Sequence, residues 1–148
     1  MTFSEPAVAE KILRSYRRFA VVGCSADPRR PSYGVARFLI AQGYDVVCVN
    51  PNETMCIEGA PCYPDLGSVP GPIDVVDIFR RADQAGTHVD EAIAIGAKAV
   101  WMQLGVIDEA AARRAGDAGL DVVMDRCPAI DHPRLVGASP PTRRRQGG

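Results

Sequence analysis

Histidine is scarce in this chain of 148 residues, which holds only His88 and His132. Its five cysteines, Cys24, Cys48, Cys56, Cys62 and Cys127, include no C-x-x-C pair. Ligands this few and this scattered make no complete metal constellation, so no metal is expected. Neither sign of charge dominates: 17 Lys and Arg face 18 Asp and Glu, a formal net charge of −1. That balance argues against a nucleic-acid or membrane-surface binder, which needs a basic face, yet it leaves room for a local basic pocket around one anionic ligand. No apolar run approaches the ~20 residues of a membrane helix. Residues 2–18 mix charges and lack the apolar stretch of a secretory leader. An odd cysteine count in such a chain predicts free thiols and a cytoplasmic location.

What is present suffices for one folded unit. Hydrophobic residues make up 47%, enough for a continuous core in a chain of single-domain length. Residues 1–136 are predicted to form one domain, and residues 137–148 have the composition of a disordered tail.

Along the chain, Val8, Ile12 and Leu13 have helical spacing over residues 5–16, with Ser4 as the expected N-cap. The run F-A-V-V-G at 19–23 reads as a buried strand. Ser32 is expected to cap a helix to about Gln42, closed by Gly43. A second strand covers 45–49. Residues 53–72, with four prolines and three glycines, read mostly as loop, with a short strand near 60–63. Strands follow at 73–79, 98–102 and 120–124. Helices follow at 84–96 and, capped by Asp108, at 109–118. Strands that are apolar throughout, alternating with helices, predict an α/β, Rossmann-like, doubly wound and mostly parallel sheet.

In such sheets a ligand lies beyond the carboxyl ends of the strands, at the point where strand order reverses. The first loop there reads G-C-S-A-D-P-R-R-P-S-Y-G from Gly23. Gly23 would let backbone approach a phosphate, Ser25 and Ser32 supply hydroxyls, and Arg29 and Arg30 supply charge at a helix N-terminus. A plain turn with solvated arginines is the competing reading, and the paired arginines tip the balance to anion binding. The dinucleotide fingerprint G-x-G-x-x-G is missing. So is an acid at the end of the second strand, where Asn50-Pro51 stands instead, and NAD is disfavoured.

Several runs match a known family. These are V-V-G-C-S-A-D-P-x-R-P-S-Y-G-V-A-R-F-L, G-Y-D-V-V-x-V-N-P-N, D-V-V-D-I-F-R-R, G-A-K-A-V-W-M-Q-L-G-V and V-V-M-D-R-C-P-x-I-D-H. Together they cover about residues 11–135 and strongly resemble the small CoA-binding-domain proteins, which are also similar to the nucleotide-binding domain of the succinyl-CoA synthetase α subunit. The resemblance implies a cofactor, coenzyme A or an acyl-CoA, lying across the first loop, with phosphates near Gly23, Ser25 and the arginines. Asn50-Pro51 and Phe79-Arg80 would flank the adenosine and phosphates. Gln103, Gly105 and Val106 would lie near the pantetheine arm. The stretch from Cys24 to Tyr33 belongs to the same loop, and Cys24 stands where the family often has a smaller residue. The synthetase's phosphorylated histidine belongs to a domain outside the resemblance, so ligase activity is not implied.

Some readings stay open. Asn50 either closes an Asx turn or contacts ribose or adenine. Gln103 either touches ligand or steadies its loop. Arg80, directly after Phe79, is better placed for phosphate than Arg81. Cys127 and His132 could pair as nucleophile and base, but packing of Cys127 and anchoring by His132 is favoured. His88 is expected on a solvent-facing helix. The leading expectation is a non-catalytic CoA-binding module, with an unknown protein partner or self-association left open. An enzyme acting on CoA thioesters or disulfides through Cys127 or Cys24, and a binder of another adenine nucleotide such as NADP, are the alternatives.

Overall fold

The computed structural model describes residues 3–52 and 56–137. The expected tail from residue 138 onward, and residues 53–55 of the expected loop, lie outside the described residues. The elements run α1 (Pro6–Ser15), β1 (Arg18–Val22), α2 (Pro31–Ala41), β2 (Asp45–Val49), β3 (Cys62–Tyr63), β4 (Val75–Ile78), α3 (Ala82–Ala94), β5 (Ala99–Met102), α4 (Glu109–Asp117), β6 (Asp121–Val123) and α5 (Pro128–Asp131).

The strands form one six-stranded sheet in the order β3-β2-β1-β4-β5-β6, parallel throughout. The chain steps outward from β1 to β3, then crosses back to lay β4 against the other side of β1. That reversal separates the β1 and β4 loops and opens a crevice at their carboxyl ends. The expected α/β Rossmann-like fold is the observed one.

Strict alternation in the strands splits the core into two layers. Ala20, Val22, Val47, Val49, Val76, Ile78, Val100 and Met102 pack toward α3 and α4. Phe19, Val21, Val46, Cys48, Val75, Ala99 and Trp101 pack toward α1 and α2. Both faces are covered, which is why the strands read as continuous apolar runs. Each fully buried Val, Ile, Phe or Met contributes roughly 1.5–3 kcal/mol.

Two expected caps are corrected, for one reason. Pro6 and Pro31 occupy the first helical position, where the fixed φ of proline suits the helix. The cap therefore falls on Glu5 and on Arg30, neither of which makes a side-chain cap bond. The serines work elsewhere: Ser4 Oγ donates to the Met124 carbonyl at 2.6 Å, and Ser32 Oγ accepts the Ser25 N–H at 3.0 Å. Asp108 caps α4 as expected, accepting the Ala111 N–H at 3.0 Å.

The expectation of free thiols fails for two cysteines. Cys56 and Cys62 form a disulfide, because the turn at Glu58-Gly59, closed by the Ile57–Ala60 antiparallel bridge, folds them together. Cys24, Cys48 and Cys127 are buried. The C-terminal segment also differs from expectation: α5 and the π-helical turn His132–Val136 follow β6 and pack on α1 and α2.

Candidate functional site

The site is built at the carboxyl edge of β1, β2 and β4. Gly23 ends β1 with φ +83° and donates its N–H to the Val49 carbonyl at 2.8 Å. A Cβ there would collide with the Phe79 carbonyl oxygen, so the glycine is demanded by its neighbour strand before any ligand is considered. The loop beyond it is internally bonded. Ser25 Oγ accepts the Asp27 N–H at 3.0 Å. Arg29 grips Asp27 through Nε at 3.1 Å and Nη2 at 3.0 Å. That guanidinium holds the Asp27 carboxyl below its ordinary range. Arg29 is thus committed to a neighbour and exposed.

Asn50 does both local jobs at once. Its Nδ2 donates to the Cys24 carbonyl at 3.0 Å, joining the β2 and β1 loops. Its Oδ1 accepts the Asn52 N–H at 3.0 Å, closing an Asx turn.

A cavity of about 390 Å³ opens between these loops, lined by Gly23, Ser25, Arg30, Ser32, Asn50, Phe79 and Arg80 among others. The N-terminus of α2 faces it, adding partial positive charge to the two serine hydroxyls and Arg30. A larger cavity of about 610 Å³ adjoins it, sharing Asn52 and Arg80, and reaches Pro51, Leu66, His88 and Glu91. Its floor is apolar, from Val22 and Val49, and its α3 wall carries His88, whose Nδ1 lies 2.8 Å from Glu91 Oε1. His88, expected on a solvent-facing helix, lines this open cavity.

Of the buried side-chain atoms without a hydrogen-bond partner among the described residues, four of five belong to Asp77, Arg80 and Gln103. The fifth, Arg18 Nε, lies 3.4 Å from Asp45 Oδ2 at the far edge of the sheet. Buried polar groups are normally paired, and of Asp77, Arg80 and Gln103 only Arg80 lines the cavities. Arg80 Nε borders both cavities. Gln103 sits beside Ile78, whose carbonyl accepts its N–H at 3.3 Å. Asp77 is fully buried between Val21 and Trp101, and desolvation pushes its carboxyl well above the ordinary carboxylate range.

Seven expected residues therefore share one cavity, and Pro51 lines the next. Cys24, Arg29, Tyr33, Gln103, Gly105 and Val106 line neither. Gly105 instead shapes a turn at φ +78°, with its N–H held by Asp125 Oδ1 at 2.8 Å. Asp77, His88, Glu91 and Asn52 were missed. Asp77 had a readable signal, a carboxylate inside an apolar strand. The His88–Glu91 spacing of i, i+3 was another.

Cys127 and His132 both sit in packed surroundings. Cys127 is 7% exposed and precedes α5. The His132 ring packs edge-on against Phe38 and Tyr44 at centroid distances of 5.6 and 6.0 Å. Burial, and then Arg14, lowers its pKa. Among the described residues no three His, Cys, Asp or Glu side chains gather to hold a metal, and no helix is long and apolar enough to cross a membrane.

A parallel sheet in this order, open at its carboxyl edge, is a Rossmann-like α/β domain. More narrowly, the chain belongs to the CoA binding domain family, whose model matches residues 17–133. It is 34% identical to Bacillus subtilis YneT over 129 residues, covering 86% of this chain and 95% of that one. A Pyrococcus horikoshii protein is 37% identical with a TM-score of 0.84, over 90% of this chain and 93% of that one. An acetyl-coenzyme A synthetase of Ca. Korarchaeum cryptofilum is 26% identical with a TM-score of 0.66; the match covers 78% of this chain and 27% of that enzyme.

Proposed function

We propose that residues 1–136 form a binding module that holds coenzyme A or an acyl-CoA across the carboxyl edge of β1, β2 and β4. Phosphates lie in the smaller cavity, against Ser25, Ser32, Arg30 and the α2 N-terminus. The base and ribose lie in the larger one, over Val22 and Val49. The observation that carries this reading is Arg80 Nε, a buried guanidinium nitrogen without a partner at the seam of both cavities. The same side chain lines both cavities, so an anionic ligand spanning the seam meets the Arg80 guanidinium charge. Family membership supports the identity of the ligand.

The module holds its ligand rather than transforming it. Among the described residues no paired acid and base line the cavities beyond the His88–Glu91 couple, and Cys24 and Cys127 are buried. Such a protein works in the cytoplasm, where it senses, stores or presents the ligand to a partner protein or a second copy of itself.

The test is a thermal-shift screen with CoA, acetyl-CoA, ADP, NAD and NADP, because a ligand selective for the folded state raises its stability. A shift with CoA or acetyl-CoA that exceeds those with NAD and NADP is expected. A shift with NADP and none with CoA overturns the reading.

A further inference from the structure

The Cys56–Cys62 disulfide sits in the chain between two limbs that line the larger cavity. Both limbs that flank it line the crevice: Pro51 and Asn52 precede it, and Pro64, Asp65 and Leu66 follow it. Cys62 opens β3, an edge strand of two residues. Cys62 and Tyr63 pair in parallel with Cys48 and Val49 of β2, and the bonds at either end of that ladder run from the Cys48 N–H to the Pro61 carbonyl at 2.8 Å and from the Asn50 N–H to the Tyr63 carbonyl at 3.0 Å. A strand this short holds little by itself. The rest of its anchorage is the apolar plug of Ile57 and Ala60, buried to 5% and 1% exposure, and the disulfide.

Cys56 is exposed and Cys62 half-buried, so a soluble thiol can reach the bond. Exposed disulfides are the labile ones. In a reducing compartment, disulfides that form at all are usually transient or regulatory.

We propose that Cys56 and Cys62 are a reversible thiol–disulfide switch that sets how firmly β3 and its flanking limbs close the crevice, and through that the affinity for ligand. The ligand part rests on the CoA reading above. The chemistry is thiol–disulfide exchange with a low-molecular-mass thiol. Its thiolate attacks the exposed Cys56 sulfur, forming a mixed disulfide and releasing Cys62 as thiolate. A second thiolate attacks the outer sulfur of the mixed disulfide. The small disulfide leaves, and Cys56 departs as thiolate, which takes up a proton. Two electrons pass from two thiols to the protein, and oxidation by a small disulfide runs the steps backward. Oxidised, the ring of residues 56–62 pins β3 to its plug. Reduced, β3 keeps its short ladder to β2 and its packing but loses the covalent tie.

Hydrogen exchange on the full chain, oxidised and reduced, tests this directly at the Cys48 and Asn50 amides. Calorimetric titration with CoA runs on the same samples. Reduction is expected to speed exchange at both amides about tenfold and to weaken CoA binding about fivefold or more, within the range of linked sites. The Cys56→Ser, Cys62→Ser double variant is expected to match the reduced protein under both conditions. Equal exchange in the two forms overturns the switch, as does failure of a mild disulfide oxidant to regenerate the bond in folded protein. Equal CoA affinity in both forms removes the coupling to ligand and leaves the CoA reading standing. Altered exchange without CoA binding to either form removes the CoA reading and leaves the switch.

Discussion

Gly23 and Phe79 meet where β1 and β4 end, and the Phe79 carbonyl oxygen fills the space that a Cβ on Gly23 would need. Gly23 also holds φ +83°. Two costs therefore fall on Gly23→Ala, a backbone in the left-handed region and a collision with backbone that cannot swing aside. The variant is expected to lose roughly 2–4 kcal/mol by urea unfolding. Gly43, with φ +94° and nothing within 4 Å of its missing Cβ, isolates the first cost, and Gly43→Ala should lose about 1–2 kcal/mol. Equal losses at the two sites would show that the contact with Phe79 does not dictate this glycine.

Arg80 and Arg29 looked alike in the sequence, and the structure separates them. Arg29 is bonded to Asp27 and its side chain is 89% exposed; Arg80 keeps a buried nitrogen unpartnered at the crevice. Removing a charged hydrogen-bonding group from a ligand costs about 1.5–3 kcal/mol, or about tenfold or more in affinity. Arg80→Gln is expected to weaken CoA binding by that factor with unfolding stability within ~0.5 kcal/mol of the wild type. Arg29→Gln should change affinity less than about threefold, as surface ion pairs are worth little. Isothermal titration of the two variants checks both, and a larger loss at Arg29 would reverse the assignment.

The sheet was legible because its strands are buried on both faces, so β1, β2, β4, β5 and β6 announce themselves as apolar runs. The alternation of strand and helix implied a parallel sheet with its site at the carboxyl ends, but the strand order that sets the switch point came from the structure. Local chemistry was less legible. Ser4 and Ser32 look like caps, but Pro6 and Pro31 move the helix start past them. The bond between Cys56 and Cys62 depends on a two-residue turn whose closure no periodicity reveals. The roles of Asn50 and Gly23 are tertiary: each answers to a carbonyl from another loop, Cys24 in one case and Phe79 in the other. The role of His88 is tertiary too: the loops after β2 and β3, distant in sequence, supply the rest of the cavity it lines.

Cys127 tests the nucleophile alternative. At 7% exposure it is shielded by α5 and the helical layer, and thiolate attack needs access. Native protein treated with iodoacetamide after mild reduction is expected to label Cys56 and Cys62 rapidly. Cys127 should label only at the rate of unfolding, as followed by peptide mass spectrometry. Incubation with acetyl-CoA is expected to leave Cys127 unacylated. Rapid alkylation of Cys127, or an acetyl mass shift that Cys127→Ser abolishes, would revive a catalytic thiol.

Asp77 carries a pH signature. Desolvation raises its folded pKa well above the ordinary carboxylate value of 3.8. In the pH range between these values the folded state holds a proton that the unfolded state has released. The group's contribution is therefore fully present below about pH 4 and is lost progressively as pH rises toward the folded value, at up to ~1.4 kcal/mol per pH unit. His132 acts with the opposite sign: burial lowers its pKa below 6.5, so its contribution is present above that value and lost as pH falls through the folded one. Comparing wild type with Asp77→Asn cancels the His132 part. The asparagine variant is expected to gain on the wild type as pH rises above the ordinary carboxylate range in denaturant unfolding, because it keeps the shape and has no proton to lose. Parallel stability curves above that range would mean that the Asp77 carboxylate is ionised in the folded protein and has found a partner.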